Sequence, residues 1–561
     1  MTEAQAQGNP LRIGRRYRRG RVEGHFDAII IGSGPAGLAA GVCLSKSGQR
    51  VLVLEQHYTA GGFSHSYSRK GYEWDVGVHY IGDVGHRGTV ASRLCDYLSD
   101  RQLRWAYMGD NYDRFLMGSE RFDLRAGEKA FREGLVERFP EEAMAIDRYL
   151  ELIRRVSKAM PGFSLDKLLP RWAVSLRRLI WPLPDCFNRP TYQVLRDLTA
   201  NEKLIAVLCG QYGDNGLPPK KSSFLIHALI ARHYLNGGYY PVGGASQIAA
   251  SLLKPIRAAG GELFTYARVE QILVEGGRAV GVRMVDGLEI RSPRVISTVG
   301  VFNTFNRLLP DSAARAGGYR EKLHGVRPAM AHVGVYIGIR ESSSSLGLER
   351  TNLWIYPDEF HDANLDNFCQ DMRRPFPAVY ISFPSAKDPS WEQRYPGRAT
   401  IEMVAPAPWK WFAPWQDKPW GKRGEDYEAL KAQLGRRLLE VLYEQLPQLR
   451  GKIDYYEVST PLSTAHFAGY SQGEIYGIDH DPARFEQQWL RPKTRIKGLY
   501  LSGQDTLTCG FMGALASGVI SAIAVLGWRA HGVLRGLARR QPRRVPEQAT
   551  ASPSATMRET G

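Results

Sequence analysis

Residues 26–62 constrain the fold more than any other part of the chain. The segment reads FDAIIIGSGPAGLAAGVCLSKSGQRVLVLEQHYTAGG. Its apolar stretches 28–31 and 51–54 predict two buried strands, and residues 38–46 predict the helix between them. Glycines follow the first strand in the spacing G-x-G-x-x-G. A strand, a glycine-rich turn, a helix and a second strand in this order predict a dinucleotide-binding unit.

Each glycine of this turn meets a physical requirement of nucleotide binding. Gly32 permits the tight turn, Gly34 lets the backbone approach a pyrophosphate, and Gly37 lets the helix pack closely on the strand. The helix N-terminus presents free N–H groups and the positive end of its dipole to the phosphates. Glu55 ends the second strand, about twenty residues further on, and suits hydrogen bonds to a ribose diol.

Length and composition indicate the number of domains and the cellular compartment. With 561 residues the chain is too long for one compact core, so we expect two or more domains. Its six cysteines lie far apart and form no C-x-x-C pair. We therefore expect no disulfide framework, no metal site and a reducing compartment. Residues 1–24 contain no apolar core segment typical of a secretory signal, and we expect a cytoplasmic protein.

The net charge of +17 is concentrated in three stretches. Arginines cluster in residues 12–21 and 529–544, and a third basic stretch, 154–178, is followed by Trp181. No nucleic-acid recognition motif accompanies them, so we expect no nucleic-acid partner. Residues 165–184 carry leucines and Trp172 on one side and basic residues on the other. This favours peripheral attachment to an anionic membrane, at the inner face of the cytoplasmic membrane, with a packed surface helix as the alternative.

One uncharged segment, residues 506–528, is apolar enough to suggest a membrane span. It is rich in Gly, Ala and Ser, however, and it directly follows a predicted strand at 498–501 and a turn. A strand, a turn and a helix of small residues predict a buried helix packed near a nucleotide instead.

The order of these elements predicts a discontinuous domain. The fold class is α/β, with a Rossmann-like dinucleotide-binding domain formed by residues 26–95, 237–300 and 490–530. A substrate-binding domain of mixed sheet and helices is inserted as residues 96–236 and 301–489, including the helical stretch 154–184. Residues 1–25 and 531–561 are predicted as basic tails, the second one disordered.

Several motifs together resemble a known family. They are GSGPAG with GGFSHSYSRKGYEWDVGVHYIG (within 32–82), GGYYPVGGASQIA (237–249) and LYLSGQDTLTCGFMGAL (499–515). This set resembles the FAD-dependent carotenoid desaturase, carotenoid isomerase and retinol saturase family, whose fold is similar to that of the amine oxidases. The resemblance covers about residues 26–528. The arginine-rich start of the chain resembles that of a bacterial or cytosolic member of the family.

The resemblance implies non-covalent FAD and a set of contacts. Val269 would meet the adenine through its backbone, Asp505 would bind the phosphate and ribityl region, and the helix that starts near Met512 and Gly513 would point at the far end of the flavin. The complete set of predicted cofactor contacts is Gly32, Ser33, Gly34, Pro35, Ala36, Gly37, Glu55, Gln56, Gly61, Gly62, Phe63, Val269, Gly503, Asp505, Met512 and Gly513.

The implied chemistry is reduction of a C=C bond in an apolar polyene, such as a retinoid or a carotenoid. Candidate proton donors are His79, Tyr80 and Tyr234, with His233 beside them; packing or hydrogen-bonding roles are the alternative. No second nucleotide motif is present, so electrons would come from or go to an external partner, NAD(P)H or a quinone.

Residues alone do not decide between saturation, desaturation and cis–trans isomerisation. A carrier of prenyl or carotenoid molecules on the same fold is a further alternative, although the intact glycine motif argues against it. The sequence indicates no oligomeric state.

Overall fold

The structure is a computed structural model and describes residues 11–538. Its strands are β1 Arg15–Arg16, β2 Ala28–Ile31, β3 Val51–Leu54, β4 Ser66–Arg69, β5 Tyr72–Asp75, β6 Ile81–Gly82, β7 Trp105–Tyr107, β8 Asn111–Met117, β9 Glu120–Arg125, β10 Gly238–Pro241, β11 Glu262–Thr265, β12 Val269–Glu275, β13 Arg278–Met284, β14 Glu289–Arg291, β15 Val295–Ser297, β16 His332–Ile339, β17 Asn352–Tyr356, β18 Val379–Ser382, β19 Ala399–Pro406, β20 Ile453–Ser459 and β21 Leu499–Leu501.

The α-helices connect and cover these strands. They are α1 Pro35–Ser45, α2 Val90–Leu98, α3 Glu128–Arg138, α4 Ala143–Asp166, α5 Arg171–Ile180, α6 Thr191–Arg196, α7 Glu202–Leu208, α8 Phe224–Tyr234, α9 Ser246–Ala258, α10 Val301–Asn303, α11 Asp311–Ala316, α12 Tyr319–Leu323, α13 His361–Gln370, α14 Pro384–Lys387, α15 Trp391–Arg394, α16 Glu425–Gln445, α17 Pro461–Ala468, α18 Pro482–Glu486, α19 Gly510–Leu526 and α20 His531–Ala538.

A parallel sheet carries the predicted dinucleotide unit. Its strand order is β1-β11-β3-β2-β15-β21, and every neighbouring pair is parallel. Strands that are adjacent in the sheet come from distant parts of the chain, since β2 pairs with both β3 and β15. The predicted assembly of an α/β, Rossmann-like sheet from separate segments is confirmed.

Both faces of this sheet are covered. In β2, Ala28 and Ile30 pack into one hydrophobic core together with α1, α9 and α19. Ile29 and Ile31 pack into a second core, formed with the small antiparallel sheet β12-β13-β14 and the segment 301–326. Because both faces are buried, the strands are continuous apolar stretches and do not alternate with polar residues.

Helix α19 lies in the first core, as the sequence predicts for residues 506–528. A side chain at Gly518 would come within 2.3 Å of the Ala36 carbonyl oxygen, so only glycine allows α19 to lie this close to α1. The Ser521 hydroxyl donates to the Leu501 carbonyl at 2.8 Å. By length and composition alone, Gly510–Ala538 is also apolar enough to cross a membrane.

The predicted tail boundaries need correction. Residues 11–25 belong to the folded domain: β1 pairs with β11, the Thr59 hydroxyl donates to the Leu11 carbonyl at 2.8 Å, and the Ile13 N–H donates to that hydroxyl at 2.9 Å. Residues 531–538 form α20. The prediction of an unstructured tail was wrong because it relied on the high density of arginine. Charged side chains do not prevent the backbone from pairing at a sheet edge. The remainder of both predicted tails lies outside the described residues.

A seven-stranded mixed sheet forms the second layer, in the order β20-β16-β19-β18-β17-β8-β9. One face packs on α16 through alternate apolar residues such as Val335, Ile381 and Met403. Residues at intervening positions, including Tyr380 and Glu402, belong to the opposite face. Helices α3, α4, α6, α7 and α8 pack with this second face into a separate core.

The predicted basic helix 165–184 is divided in two. Helix α4 ends at Asp166, and α5 starts after Pro170. The Asp166 carboxylate is buried and accepts hydrogen bonds from Arg177 at 2.5 Å and from Arg178 at 2.9 Å. These two arginines are therefore tied to the protein, which differs from the predicted free basic face.

The contact between α1 and α19 generates the first prediction. We expect Gly518→Ala to destabilise the protein by about 1–3 kcal/mol, because the new methyl group overlaps the Ala36 carbonyl oxygen in a close-packed core. The measurement is the midpoint of thermal unfolding.

Gly532→Ala in α20 is the matched control, since a methyl group there meets no atom within 4 Å. It should leave the midpoint unchanged or raise it slightly, because Ala is the better helix former. Equal midpoints for both variants would contradict the proposed close contact.

Candidate functional site

The turn between β2 and α1 has the geometry that its glycines predict. Gly32 has a φ of 96°, in the region that favours glycine. A side chain at Gly37 would lie 2.1 Å from the Gly32 carbonyl oxygen, so the helix needs glycine to start this close to the strand. A side chain at Gly34, in contrast, would meet nothing within 4 Å. Open space above Gly34, at the N-terminus of α1, leaves room for an anionic group.

Glu55 closes the turn from the end of β3. Its carboxylate accepts hydrogen bonds from the Ser33 N–H at 2.9 Å, from the Ser33 hydroxyl at 2.7 Å and from the His57 N–H at 2.8 Å. Glu55 therefore fixes the shape of the turn and also lines the adjacent cavity. Its contact with a ribose remains a prediction.

A single cavity of about 1040 Å³ connects this turn to the interior. Small-molecule sites are typically about 300–1,000 Å³, so this volume lies at the upper end of the range and suits a ligand as large as a dinucleotide. Most of the predicted cofactor contacts line it. They are Gly32, Ser33, Gly34, Pro35, Ala36, Glu55, Gln56, Gly62, Phe63, Val269 and Gly503.

The remaining predicted contacts are set back from the cavity. They are Gly37, Gly61, Asp505, Met512 and Gly513. The buried carboxylate of Asp505 accepts hydrogen bonds from the backbone N–H groups of Val301 at 2.8 Å and Ile478 at 3.1 Å. Asp505 thus joins two loops, and its neighbours Gly503 and Gln504 reach the cavity.

Helix α19 begins earlier than predicted, at Gly510 instead of near Met512. Gly510, Phe511 and Ala514 line the cavity, so the N-terminal turn of this helix does face it. The preceding Cys509 is buried, and burial raises the pKa of its thiol to about 12. Cys509 is therefore held as an unreactive thiol at neutral pH.

The inner end of the cavity is an aromatic chamber. Tyr80 stacks on Tyr234 with ring centroids 4.2 Å apart, and on Tyr380 at 6.2 Å. The other aromatic residues of the chamber wall are Tyr212, Trp354 and Tyr476. Stacked rings with few charges form a flat, apolar space that suits an extended conjugated ligand.

His79 also reaches the chamber, and its ring is fixed from behind. Its Nδ1 lies 2.6 Å from a carboxyl oxygen of Glu402, which is fully buried on β19. Burial lowers the pKa of His79 to about 4 and raises the pKa of Glu402 to about 8. His233, the neighbouring candidate, instead accepts a hydrogen bond from the Gly82 N–H at 2.8 Å.

Tyr80 has a separate buried partner. Its hydroxyl donates to the Asp113 carboxylate at 2.9 Å and lies 3.5 Å from Asp214. Burial raises the pKa of both carboxyl groups, and for Asp214 the shift is large. Lys387 lies between the two networks and donates to the His79 carbonyl at 3.2 Å.

Sequence reasoning missed several of these groups. Glu402, Lys387, Asp214 and His332 come from strands and loops that are far apart in sequence. His332 lines the cavity, and its Nδ1 is buried without a hydrogen-bond partner among the described residues. The signal that sequence does contain is indirect: Glu402 is a charged residue within the apolar strand 399–406.

Comparisons with known proteins agree with this geometry. The sequence model of one protein family, described as the NAD(P)-binding Rossmann-like domain, matches residues 30–98. All-trans-retinol 13,14-reductase of Homo sapiens is 36% identical over 93% of this chain and 89% of its own length. Prolycopene isomerase of Daucus carota is 24% identical over 89% and 80%. The solved structure of cyclohexylamine oxidase from Brevibacterium oxydans has a TM-score of 0.55 at 15% identity, covering 91% and 100%.

The open turn above Gly34, the free N-terminus of α1 and the size of the cavity fit a flavin dinucleotide. Together with the 36% identity to the human reductase over most of the chain, they define a flavin-dependent oxidoreductase. The chain belongs to the all-trans-retinol 13,14-reductase family, given its identity and coverage with the human relative. The predicted family and fold class are confirmed.

The second prediction concerns the turn. We expect Gly34→Asp to abolish flavin binding, because its carboxylate would occupy the open space beside the pyrophosphate and repel it. The measurement is the visible absorbance of flavin per mole of purified protein.

Gly34→Asn, of nearly equal size but uncharged, is the control and should lose less flavin. Both variants should keep the thermal midpoint of flavin-free wild-type protein, because a Cβ at this position meets no protein atom within 4 Å. Wild-type flavin content in Gly34→Asp would contradict the placement of the pyrophosphate.

Proposed function

We propose that this protein reduces one C=C bond of a long apolar polyene, such as a retinoid or related isoprenoid. The observation that carries the proposal is the aromatic chamber at the end of a cavity that begins at the dinucleotide turn. The relatives named as retinol reductases support reduction, and the chamber supports an apolar, conjugated substrate.

Reduced FAD, when bound, supplies the hydride for this reaction. The residues of the chain bind the substrate, exclude water and hold the proton. Tyr80, Tyr234 and Tyr380 provide flat surfaces against which a polyene can lie. Because Nδ1 of His79 is engaged by Glu402, Nε2 is the ring nitrogen through which His79 gives a proton to the substrate.

The electron source is proposed as an external partner, NAD(P)H or a quinone. Cis–trans isomerisation is the second candidate, because a relative is named prolycopene isomerase. A carrier without cofactor is disfavoured by the open space kept above Gly34.

The third prediction tests the reaction directly. Purified protein is reduced with dithionite without oxygen and then mixed with all-trans-retinol or a carotenoid extract, and the products are analysed by chromatography with mass detection. We expect a product that has gained two hydrogens, because the reduced cofactor and a proton donor are both present.

An unchanged mass with a new retention time would instead identify an isomerase. If flavin is bound but no product forms with any polyene, the proposed substrate class is wrong. Protein without flavin would favour the carrier.

We also propose that α5 attaches the protein to an anionic membrane, on the cytoplasmic side. Within residues 11–538, its apolar side chains and the following Trp181 remain exposed: Trp172, Leu179 and Trp181 are 72%, 82% and 67% exposed. A short helix with exposed tryptophans beside Arg171 is typical of a segment that lies in a lipid interface. A polyene substrate dissolves in the same interface, which links the attachment to the proposed reaction.

The fourth prediction follows from this surface. Replacing Trp172, Leu179 and Trp181 with Ser should weaken binding to vesicles that contain phosphatidylglycerol at least about tenfold, because these side chains provide the apolar contact. Binding is measured by co-sedimentation.

The control is Phe360→Ser, which removes another exposed aromatic side chain, 56% exposed, elsewhere on the surface. It should bind like wild type. Arg177 and Arg178 are left unchanged, since they hold Asp166. Unaltered binding of the triple variant would identify α5 as an ordinary surface helix.

A further inference from the structure

A buried carboxyl group stands directly behind the candidate proton donor. Glu402 is fully buried in β19, and its two carboxyl oxygens have different partners. One accepts a hydrogen bond from the Asp75 backbone N–H at 2.5 Å, and the other lies 2.6 Å from Nδ1 of His79. Both oxygens are thus fixed in direction, and one of them points at the imidazole ring.

The position of His79 is also fixed from its backbone side. Lys387 donates to the His79 carbonyl at 3.2 Å and to the Ser382 hydroxyl at 2.7 Å, and it contacts the Asn352 side chain. A ring that is oriented by a buried carboxyl and a backbone that is held by a buried lysine leave His79 little freedom. Such fixation is typical of groups that must present one atom to a ligand.

We propose that Glu402 is a positioning residue that stores a proton for His79 and passes it on during the reduction. The proposal rests on the proposed function. Glu402 does not line the cavity. Under this proposal it still supplies the proton that His79 gives to the substrate at the cavity wall.

The proton step balances as follows. The Nε2–H bond of His79 breaks as a C–H bond forms at the second carbon of the substrate double bond. Nδ1 takes the carboxyl proton of Glu402 at the same time, so the ring stays neutral and Glu402 becomes a carboxylate. The two electrons arrive with the hydride at the first carbon. A proton from water then binds Nε2 of His79, and Nδ1 returns its proton to Glu402, which restores both groups. Until that happens, the positive charge of Lys387 stabilises the carboxylate.

Charged and titratable groups surround the pair from several elements. Glu73 on β5 disfavours a charge on Glu402, whereas the Asp75 backbone N–H and Lys387, which follows β18, favour it. Burial, and then repulsion from Glu402, raise the pKa of Asp75. His332 on β16 faces His79. Burial is the largest effect and raises the pKa of Glu402 to about 8, so the stored proton is present at neutral pH. Reduction should therefore slow as the pH rises through about 8.

The fifth prediction tests this arrangement with Glu402→Gln, which keeps the shape but has no proton to give. We expect a rate of substrate reduction at least about a hundredfold lower, with unchanged flavin content, because general acid catalysis typically contributes that much. The decrease of the wild-type rate near pH 8 should disappear in the variant. Glu402→Asp, which shortens the reach to Nδ1, should restore part of the rate and of the pH dependence.

Glu474→Gln is the matched control. Glu474 is another buried carboxyl group whose pKa is raised by burial, to about 7, but it contacts the backbone of Gln472 and not His79. This control should keep the wild-type rate and pH dependence. A rate for Glu402→Gln within twofold of wild type, with the same pH dependence, would overturn the proposal.

A second measurement does not depend on the substrate. Nuclear magnetic resonance of protein labelled with ¹⁵N-histidine reports the state of each ring, and His79→Gln identifies the signal. We expect the His79 signal to shift as the pH passes through about 8 in wild type and to lose this shift in Glu402→Gln. If no polyene is reduced but this shift is present, the proposed function fails while the pairing of Glu402 with His79 stands. If the shift is absent in wild type, the proton store is refuted.

Discussion

The close contact between α1 and α19 is the constraint on which the rest of the structure depends. Gly37 allows α1 to start against the Gly32 carbonyl, and Gly518 allows α19 to lie against Ala36. These contacts place two helix N-termini at one cavity, although their residues are almost 500 positions apart in sequence. Asp505 adds to this by joining the loops at Val301 and Ile478. A domain made of separate segments needs such contacts, because no short connection holds its parts together.

The chamber combines an apolar wall with buried polar groups, and the two are related. Burial without a partner is costly for ionisable groups. Accordingly, His79 is paired with Glu402 and Tyr80 with Asp113, and Lys387 lies between the two pairs. Each pair keeps its proton within the protein interior. In the proposed reaction, the surrounding rings separate the substrate from solvent while a proton is supplied at one position.

Local pattern explains why part of this structure could be predicted. Strands β2 and β3, helix α1 and Glu55 lie within one short segment, where apolar periodicity and glycine spacing report directly on the backbone. The buried position of α19 followed from its small residues. Glu402, Asp214 and Lys387 could not be found in this way, because strand pairing over long distances brings them together. The distribution of charge also misled the prediction at β1 and at Arg177. Sequence shows where basic residues lie, but it does not show which partner each one has.

Helix α4 connects the core behind the chamber to the exposed helix α5. Phe163, near the end of α4, packs in the same core as Tyr80, Tyr234 and Tyr380 of the chamber. Helix α5, which follows, exposes its tryptophans to the outside. An apolar polyene gains little by crossing water between a membrane and a buried chamber. Because α4 ends in the core behind the chamber shortly before α5 begins, the proposed attachment by α5 holds the chamber near the lipid in which such a substrate dissolves.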